Sequence, residues 1–356
     1  NRVILVNAPK KEDVKLPTEE EIREAVKEVS SSDIKPYVDK VANKPLFEKE
    51  LSPGKVTNVE KNKDFDYEEW TLDNGLKVVV KKTDFKEDEI AFKAFSFGGI
   101  SNYSVSDDVS ARISKDIIME SGLSDFDKIK LDKLISDKVV RVSPYIGNYS
   151  EGFNGSFSPK DMETAMQLIH LYFTDTRYDK TAYNSYIERM KGIYENQSLS
   201  PESVFRDSIT AVMTQNHPKR KPMNDKMLDK ANYFKTYKIF KERFGDPSSF
   251  TFFFVGNIDK EKFKPMIEKY LGSLPKVERK ESWKDNNIRT PKGKVEKVVH
   301  KGTEPKSMVF IDLNGSFDYT WENKMDLKAI SKILGTKLLE IVREKHSGVY
   351  SIMAQP

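Results

Sequence analysis

The chain has 356 residues, 37% of them hydrophobic and 11% aromatic, so it is long enough for about two domains and apolar enough to fold despite 33% charged residues. Its 60 Lys and Arg against 56 Asp and Glu leave a net charge of +4, too weak over this length to build a field for nucleic acid. The absence of Cys excludes disulfides, thiolate nucleophiles and cysteine-ligated zinc, and no window approaches the ~18 apolar residues of a membrane span. The N-terminal apolar run is too short for a secretion signal, and composition alone leaves the compartment open.

In chain order, "RVILVN" (2–7) is apolar enough for a strand and reads as the end of a preceding domain; without a start Met, the chain reads as a piece of a longer protein. The segment "LPTEEEIREAVKEV" is expected to be a helix, with Thr18 as N-cap, Glu21 completing a capping box, and Ile22, Ala25, Val26 and Val29 on one face. With that helix, residues 1–64 are read as the end of a preceding domain, a hinge helix and, from 33 on, a Pro-, Lys- and Asn-rich linker.

A full domain is expected over 65–275. It opens with two β-rich runs joined by Asp73-Asn74-Gly75, followed by an alternating strand ending at Gly98-Gly99. Helical periodicity then runs through "DDVSARISKDIIMESG" (Val109, Ile113, Ile117, Ile118), "SPKDMETAMQLIHLYF", "DKTAYNSYIERMKGIY" and "PESVFRDSITAVM". In the second of these, Ser158 is the expected cap, with Pro159 in the first turn and Asp161 completing the box. The apolar run "SFTFFFVGNID" is of strand length, and "KEKFKPMIEKYLGSLP" is helical. The basic cluster "HPKRKP" (217–222) reads as a solvated loop, having no interleaved aromatics.

After a polar linker, 276–294, the pattern repeats. A strand pair ends at Gly315 as the earlier one ends at Gly99, and Ile330-Ser331-Lys332 stands where Ile113-Ser114-Lys115 stood. The fold class is therefore α+β: two homologous layered domains of mixed or antiparallel sheet with helices on one side, the second copy (295–356) truncated.

The four histidines, His170, His217, His300 and His346, have no second His or carboxylate at the spacing that puts two ligands on one helical face. His170 is expected to be packed inside its helix. No nucleophile elbow, phosphate loop or dinucleotide fingerprint is present. What remains is "VREKHSGVYSI". The helix starting at Trp321 is expected to bury Ile330, Ile333, Leu334, Leu338 and Ile341, which places Arg343 at its C-terminal end, where a cation is favoured. Gly348 is expected at positive φ, with Tyr350 starting the next strand. On spacing alone, a dipole-complementing Arg and a packed Tyr are the simpler reading.

Three stretches, "DNGLKVVVKK", "FTFFFVGNIDKEKFKPMIEKYLGSLP" and "LLEIVREKHSGVYSI", resemble the C-terminal half of a pitrilysin-family zinc metallopeptidase of the inverzincin group, the bacterial periplasmic members looking closest. The resemblance implies the metallopeptidase LuxS-like fold, with 65–275 as the inactive third of four domains in a clam-like chamber. It implies that the zinc motif H-x-x-E-H lies in an N-terminal catalytic half, the partner of this chain within one polypeptide, since the corresponding helix here has no histidine. This half would then hold no metal and no catalytic residue of its own. It would supply Arg343 and Tyr350, seven residues apart, as substrate contacts: Arg343 donating to a substrate carbonyl, Tyr350 helping to hold the developing oxyanion. Peptides are the implied substrates, bound as an added strand at a sheet edge that belongs mainly to the other half, and the implied location is periplasmic or otherwise extracytoplasmic. A non-catalytic scaffold or peptide-binding subunit of the same fold is the rival reading.

Overall fold

The computed structural model describes residues 3–8, 15–35, 44–279 and 281–356. In chain order its elements are α1 (Glu19–Ser31), β1 (Val56–Asn62), β2 (Tyr67–Leu72), β3 (Lys77–Lys82), β4 (Ile90–Phe97), α2 (Asp108–Ser121), α3 (Lys128–Leu134), β5 (Val140–Ile146) and β6 (Ser150–Phe157). They continue with α4 (Met162–Thr174), α5 (Lys180–Leu199), α6 (Pro201–Met213), α7 (Asp225–Leu228), α8 (Tyr233–Arg243), β7 (Thr251–Gly256), α9 (Lys260–Tyr270) and α10 (Trp321–Leu338), the last running into a π-helical turn, Leu339–Lys345. The chain divides into two units, residues 1–187 with 230–284 and residues 188–229 with 285–356.

The first unit is built on one seven-stranded sheet, in the order β1-β2-β3-β7-β4-β6-β5. Only β3 and β7 run parallel, with Val78 opposite Phe252 and Val80 opposite Phe254; every other pair is antiparallel. Period-two alternation decides which side is dry. Ile90, Phe92 and Ala94 of β4 and Phe252 and Phe254 of β7 are buried, whereas Phe97 and Val255, on the opposite face, are exposed. The buried face carries one core to which α2, α4, α8 and α9 all contribute, among them Ile118, Ile169, Phe240 and Phe263. Its rings interlock: Phe153 meets Phe244 at 5.0 Å and Phe173 at 5.4 Å between centroids. The expected α+β layer, mixed sheet with helices, is present.

Local signals place many of these elements. Thr18 and Glu21 form the expected reciprocal capping box on α1. The Asp73-Asn74-Gly75 turn joins β2 to β3, with Gly75 at φ +90°. The α2 helix buries Val109, Ile113, Ile117 and Ile118 and stops at Gly122, whose φ is +88° and where an added Cβ would lie 2.1 Å from the Phe126 carbonyl oxygen.

Elsewhere the structure corrects the sequence reading. The linker expected from residue 33 contains β1, a strand of mostly exposed polar residues on the sheet edge, where only one ladder has to be satisfied. Residues 3–7 of the expected N-terminal strand enter no ladder, and Arg2 lies outside the described residues. At α4, Ser158 caps no backbone amide; its hydroxyl donates to Asp161 at 2.6 Å, and Asp161 accepts instead from the Val139 amide, tying the helix start to the loop before β5.

In the second unit α6 is the expected helix, with Ser200 accepting from the Ser203 amide and Pro201 at its first position. The strand pair expected over 295–315 does not form: a strand needs a partner, and no described residue pairs with this segment. Thr320 caps α10, but the apolar face expected to be buried is not. Ile330, Ile333, Leu334 and Ile341 are exposed, Leu338 is half-buried, and Ser331 is the one buried residue of α10. The basic cluster is not wholly solvated either, since Lys219 is buried and donates to Asn286 at 2.9 Å.

Candidate substrate-contact site

Arg343 lies in the π-helical turn that ends α10 and is solvent-exposed, its Nε 3.6 Å from Glu344. Tyr350 is fully exposed. The chain between them reverses at Ser347, not at Gly348: Ser347 has φ +48°, its amide donates to the Arg343 carbonyl at 2.9 Å, and the Gly348 amide donates to Val342 at 2.8 Å. Among the described residues Arg343 and Tyr350 make no contact with each other; both face water.

The α2 helix is the element that the resemblance equates with a zinc-binding helix. Here its inward positions are Val109, Ile113, Ile117 and Ile118 with Ser110, Ser114 and Ser121, and its buried Asp108 pairs with Arg112 at 2.8 Å. Hydroxyl and aliphatic groups are poor zinc ligands, so these residues do not fit the metal. No group of three His, Cys, Asp or Glu suited to a metal occurs among the described residues. His170 packs as expected, buried edge-on to Phe47 at 5.3 Å with Nδ1 2.8 Å from the Tyr270 carbonyl; burial holds its pKa below the ordinary value.

Sequence reasoning missed a buried ionic network in the first unit. Glu151 on β6 has no exposed surface; one carboxylate oxygen accepts from the Gly99 amide at 2.6 Å and the other stands 3.7 Å from Arg243 on α8. Arg243 spends its fork elsewhere, donating twice to Glu281 at 2.8 and 2.9 Å and once to the Tyr103 hydroxyl at 3.0 Å. Burial pushes Glu151 up to about 7 against the pull of Arg243. Burial also opposes the charge of Glu281, but the Arg243 hydrogen bonds hold its carboxyl below the usual range. The network clasps the segment after α9: the Arg279 amide donates to Asp246 at 2.7 Å, and Asn102 donates to Glu281 at 2.7 Å. With every member sealed from solvent or paired inside the fold, the arrangement is a structural clasp. Contacts between residues so far apart in the chain leave no local pattern to read.

In the second unit, Phe205, Ile209 and Met213 of α6 and the extended segment carrying Val298, Met308 and Phe310 line a cleft of about 970 Å³. Glu202 at its rim is paired with Lys306.

Residues 238–356 match the peptidase M16 inactive domain. The chain is 24% identical over 349 residues to a "Zinc protease PQQL-like" of Arabidopsis thaliana, covering 94% of this chain and 34% of that one. It is also 24% identical to a "Probable zinc protease PqqL" of Haemophilus influenzae, over 81% of this chain and 31% of the relative. Among solved structures, the periplasmic protease PqqL from Escherichia coli superimposes with a TM-score of 0.72 over 95% of this chain and 37% of its own, at 18% identity. The ferredoxin protease FusC, in complex with Arabidopsis ferredoxin, gives 0.59 over 78% of this chain and 30% of its own, at 15% identity. The chain spans about a third of the length of these relatives. The pitrilysin-type resemblance read from the sequence is borne out, as is the expected layer of mixed sheet with helices.

Proposed function

We infer, from the match of residues 238–356 to the peptidase M16 inactive domain and the likeness to zinc proteases, that the chain is the non-catalytic half of a zinc metalloendopeptidase that degrades peptides in an enclosed chamber. The observation behind this reading is a protease fold spanning 95% of the chain in which the helix equated with the zinc helix holds no histidine. The metal and the water it activates then belong to a catalytic half of the same polypeptide. The role of this half is to close the chamber and to supply Arg343 and Tyr350. Both are solvent-facing, as groups lent to a neighbouring site have to be. In this reading the guanidinium donates to a substrate carbonyl, and the phenol donates to that oxygen as charge develops. A periplasmic or otherwise extracytoplasmic location accompanies the reading by likeness to the Escherichia coli protease.

A donor that acts mainly on the transition state is worth ~10²–10³ in rate. In the complete enzyme Arg343→Ala is expected to lower kcat/KM by ~10²–10³ with zinc content unchanged. Zinc loss in that variant would mean that the arginine acts structurally. A parent whose sequence lacks H-x-x-E-H altogether would make the protein a peptide-binding scaffold.

A further inference from the structure

The sheet of the first unit has a second face, and it is not the polar surface that an open antiparallel sheet normally turns to water. Its centre is aromatic. Phe95 of β4 stacks on Phe253 of β7, centroids 6.0 Å apart and planes within 10°, and Phe97 meets Phe95 edge-on at 5.4 Å. Beside this strip, β6 presents Ser150, Gly152, Asn154 and Ser156 to the same side, opposite Phe97, Phe95, Lys93 and Ala91 of β4. On the far side of β6, Gly152 faces Tyr145 and Ser156 faces Arg141 of β5. The small residues make a trough along β6. It is open at Asn154 and Ser156, between Lys93 and Arg141, whereas at Gly152 the Tyr145 side chain crosses it, its hydroxyl donating to the Ala94 carbonyl of β4 at 3.3 Å.

The charges on this face are not balanced. Glu69, on β2 beyond the aromatic strip, is neutralised by Lys77 at 2.6 Å, and Glu60 lies farther off on the edge strand β1. Lys93 and Arg141 are exposed, and among the described residues neither side chain has an ion pair or a hydrogen bond. Two open cations over a stacked-ring floor complement one ligand chemistry: an extended segment whose inward side chains are carboxylates and aromatics. Side chains on one face of a strand repeat every ~6.8 Å, which matches the spacing of Lys93, Phe95 and Phe97 along β4.

We propose that this sheet face is a docking floor for acidic, aromatic-containing peptide segments. The proposal rests on the peptidase reading for its biological sense, and it names the substrate class that reading leaves open. It is tested by fluorescence anisotropy on the chain, using a labelled Gly/Ser peptide with Phe and Glu at alternating positions and a counterpart with Lys in place of Glu. The acidic peptide is expected to bind more tightly than the basic one and to weaken with salt. Lys93→Glu is expected to reduce acidic-peptide affinity about tenfold and to favour the basic peptide, and Phe95→Ser to weaken both. These side chains reach solvent, so an unchanged melting temperature certifies the fold of each variant. Equal binding of the two peptides, or indifference to Lys93→Glu, overturns the proposal. So does sedimentation showing a dimer that Phe95→Ser dissolves, because a second copy would then be the occupant. The two readings fail separately: peptide binding without hydrolysis by the full-length protein removes the peptidase and keeps the floor, whereas hydrolysis indifferent to Lys93→Glu does the reverse.

Discussion

Glu151 has its carboxylate buried in the first unit, and the cation it pairs with among the described residues, Arg243, is already committed to Glu281. Its folded-state pKa of about 7 lies above the ordinary 4.5, so between those values the folded protein holds a proton that the unfolded chain releases. Stability therefore falls as pH rises through this window; below it the penalty is absent, and above it the penalty is complete. His170 works the other way, its stabilising contribution being lost as pH falls below the ordinary 6.5, because burial disfavours the charged ring. Glu151→Gln isolates the first effect, since His170 is common to both proteins. Denaturant titration at pH 8 is expected to find the Gln variant more stable by on the order of 2 kcal/mol, and at pH 5 the gap should close. A gap that does not change with pH would show that Arg243 keeps Glu151 ionised throughout. None of this was legible in the sequence: one acid among 56 carries no mark of its burial, and the partners Arg243 and Glu281 are 38 residues apart.

Elements whose signals are local were legible and those defined by distant neighbours were not. Thr18 with Glu21, the Asp-Asn-Gly turn and the periodicity of α2 each state their structure within a few residues. The β5–β6 hairpin does not. Gly152 and Gly155 look like breakers, yet each sits where another backbone comes close, a Cβ on Gly152 falling 1.9 Å from the Ala94 carbonyl oxygen. Even the legible turn hides its anchor. The buried Asn74 donates to the Leu271 carbonyl at 2.8 Å and the Leu274 carbonyl at 3.0 Å, and accepts from the Leu76 amide at 3.1 Å. It thus ties the β2–β3 turn to the end of α9, which lies nearly 200 residues later in the chain. Asn74→Ala strands buried carbonyls and is expected to cost about 2–3 kcal/mol in denaturant unfolding. A loss under about 0.5 kcal/mol would mean that neighbouring groups or water replace the amide.

At the scale of the whole chain, the two units differ in how their apolar surface is used. The first inserts β7 between β3 and β4, an order that period-two alternation cannot encode and that nothing in the sequence reading anticipated. The second leaves Val309, Ile311 and Leu313 of its extended segment, and Ile330 and Ile333 of α10, exposed. The repeat read from the sequence places Ser331 where Ser114 stands, and both are buried, but among its described residues the second unit has no strand for α10 to pack on, whereas α2 shares a core with the sheet of its own unit. Helices of this length owe most of their stability to packing, so α10 should open locally at little cost. Native-state hydrogen exchange on this chain is expected to protect β3, β4 and β7 to the level of global unfolding. The amides of α10 and its π-helical turn should exchange through openings of about 2 kcal/mol or less. If α10 proves as protected as β7, its apolar face is covered in solution. Arg343, at the end of that helix, would then be held by packing, and a fixed guanidinium positions a substrate carbonyl better than one on a fraying turn.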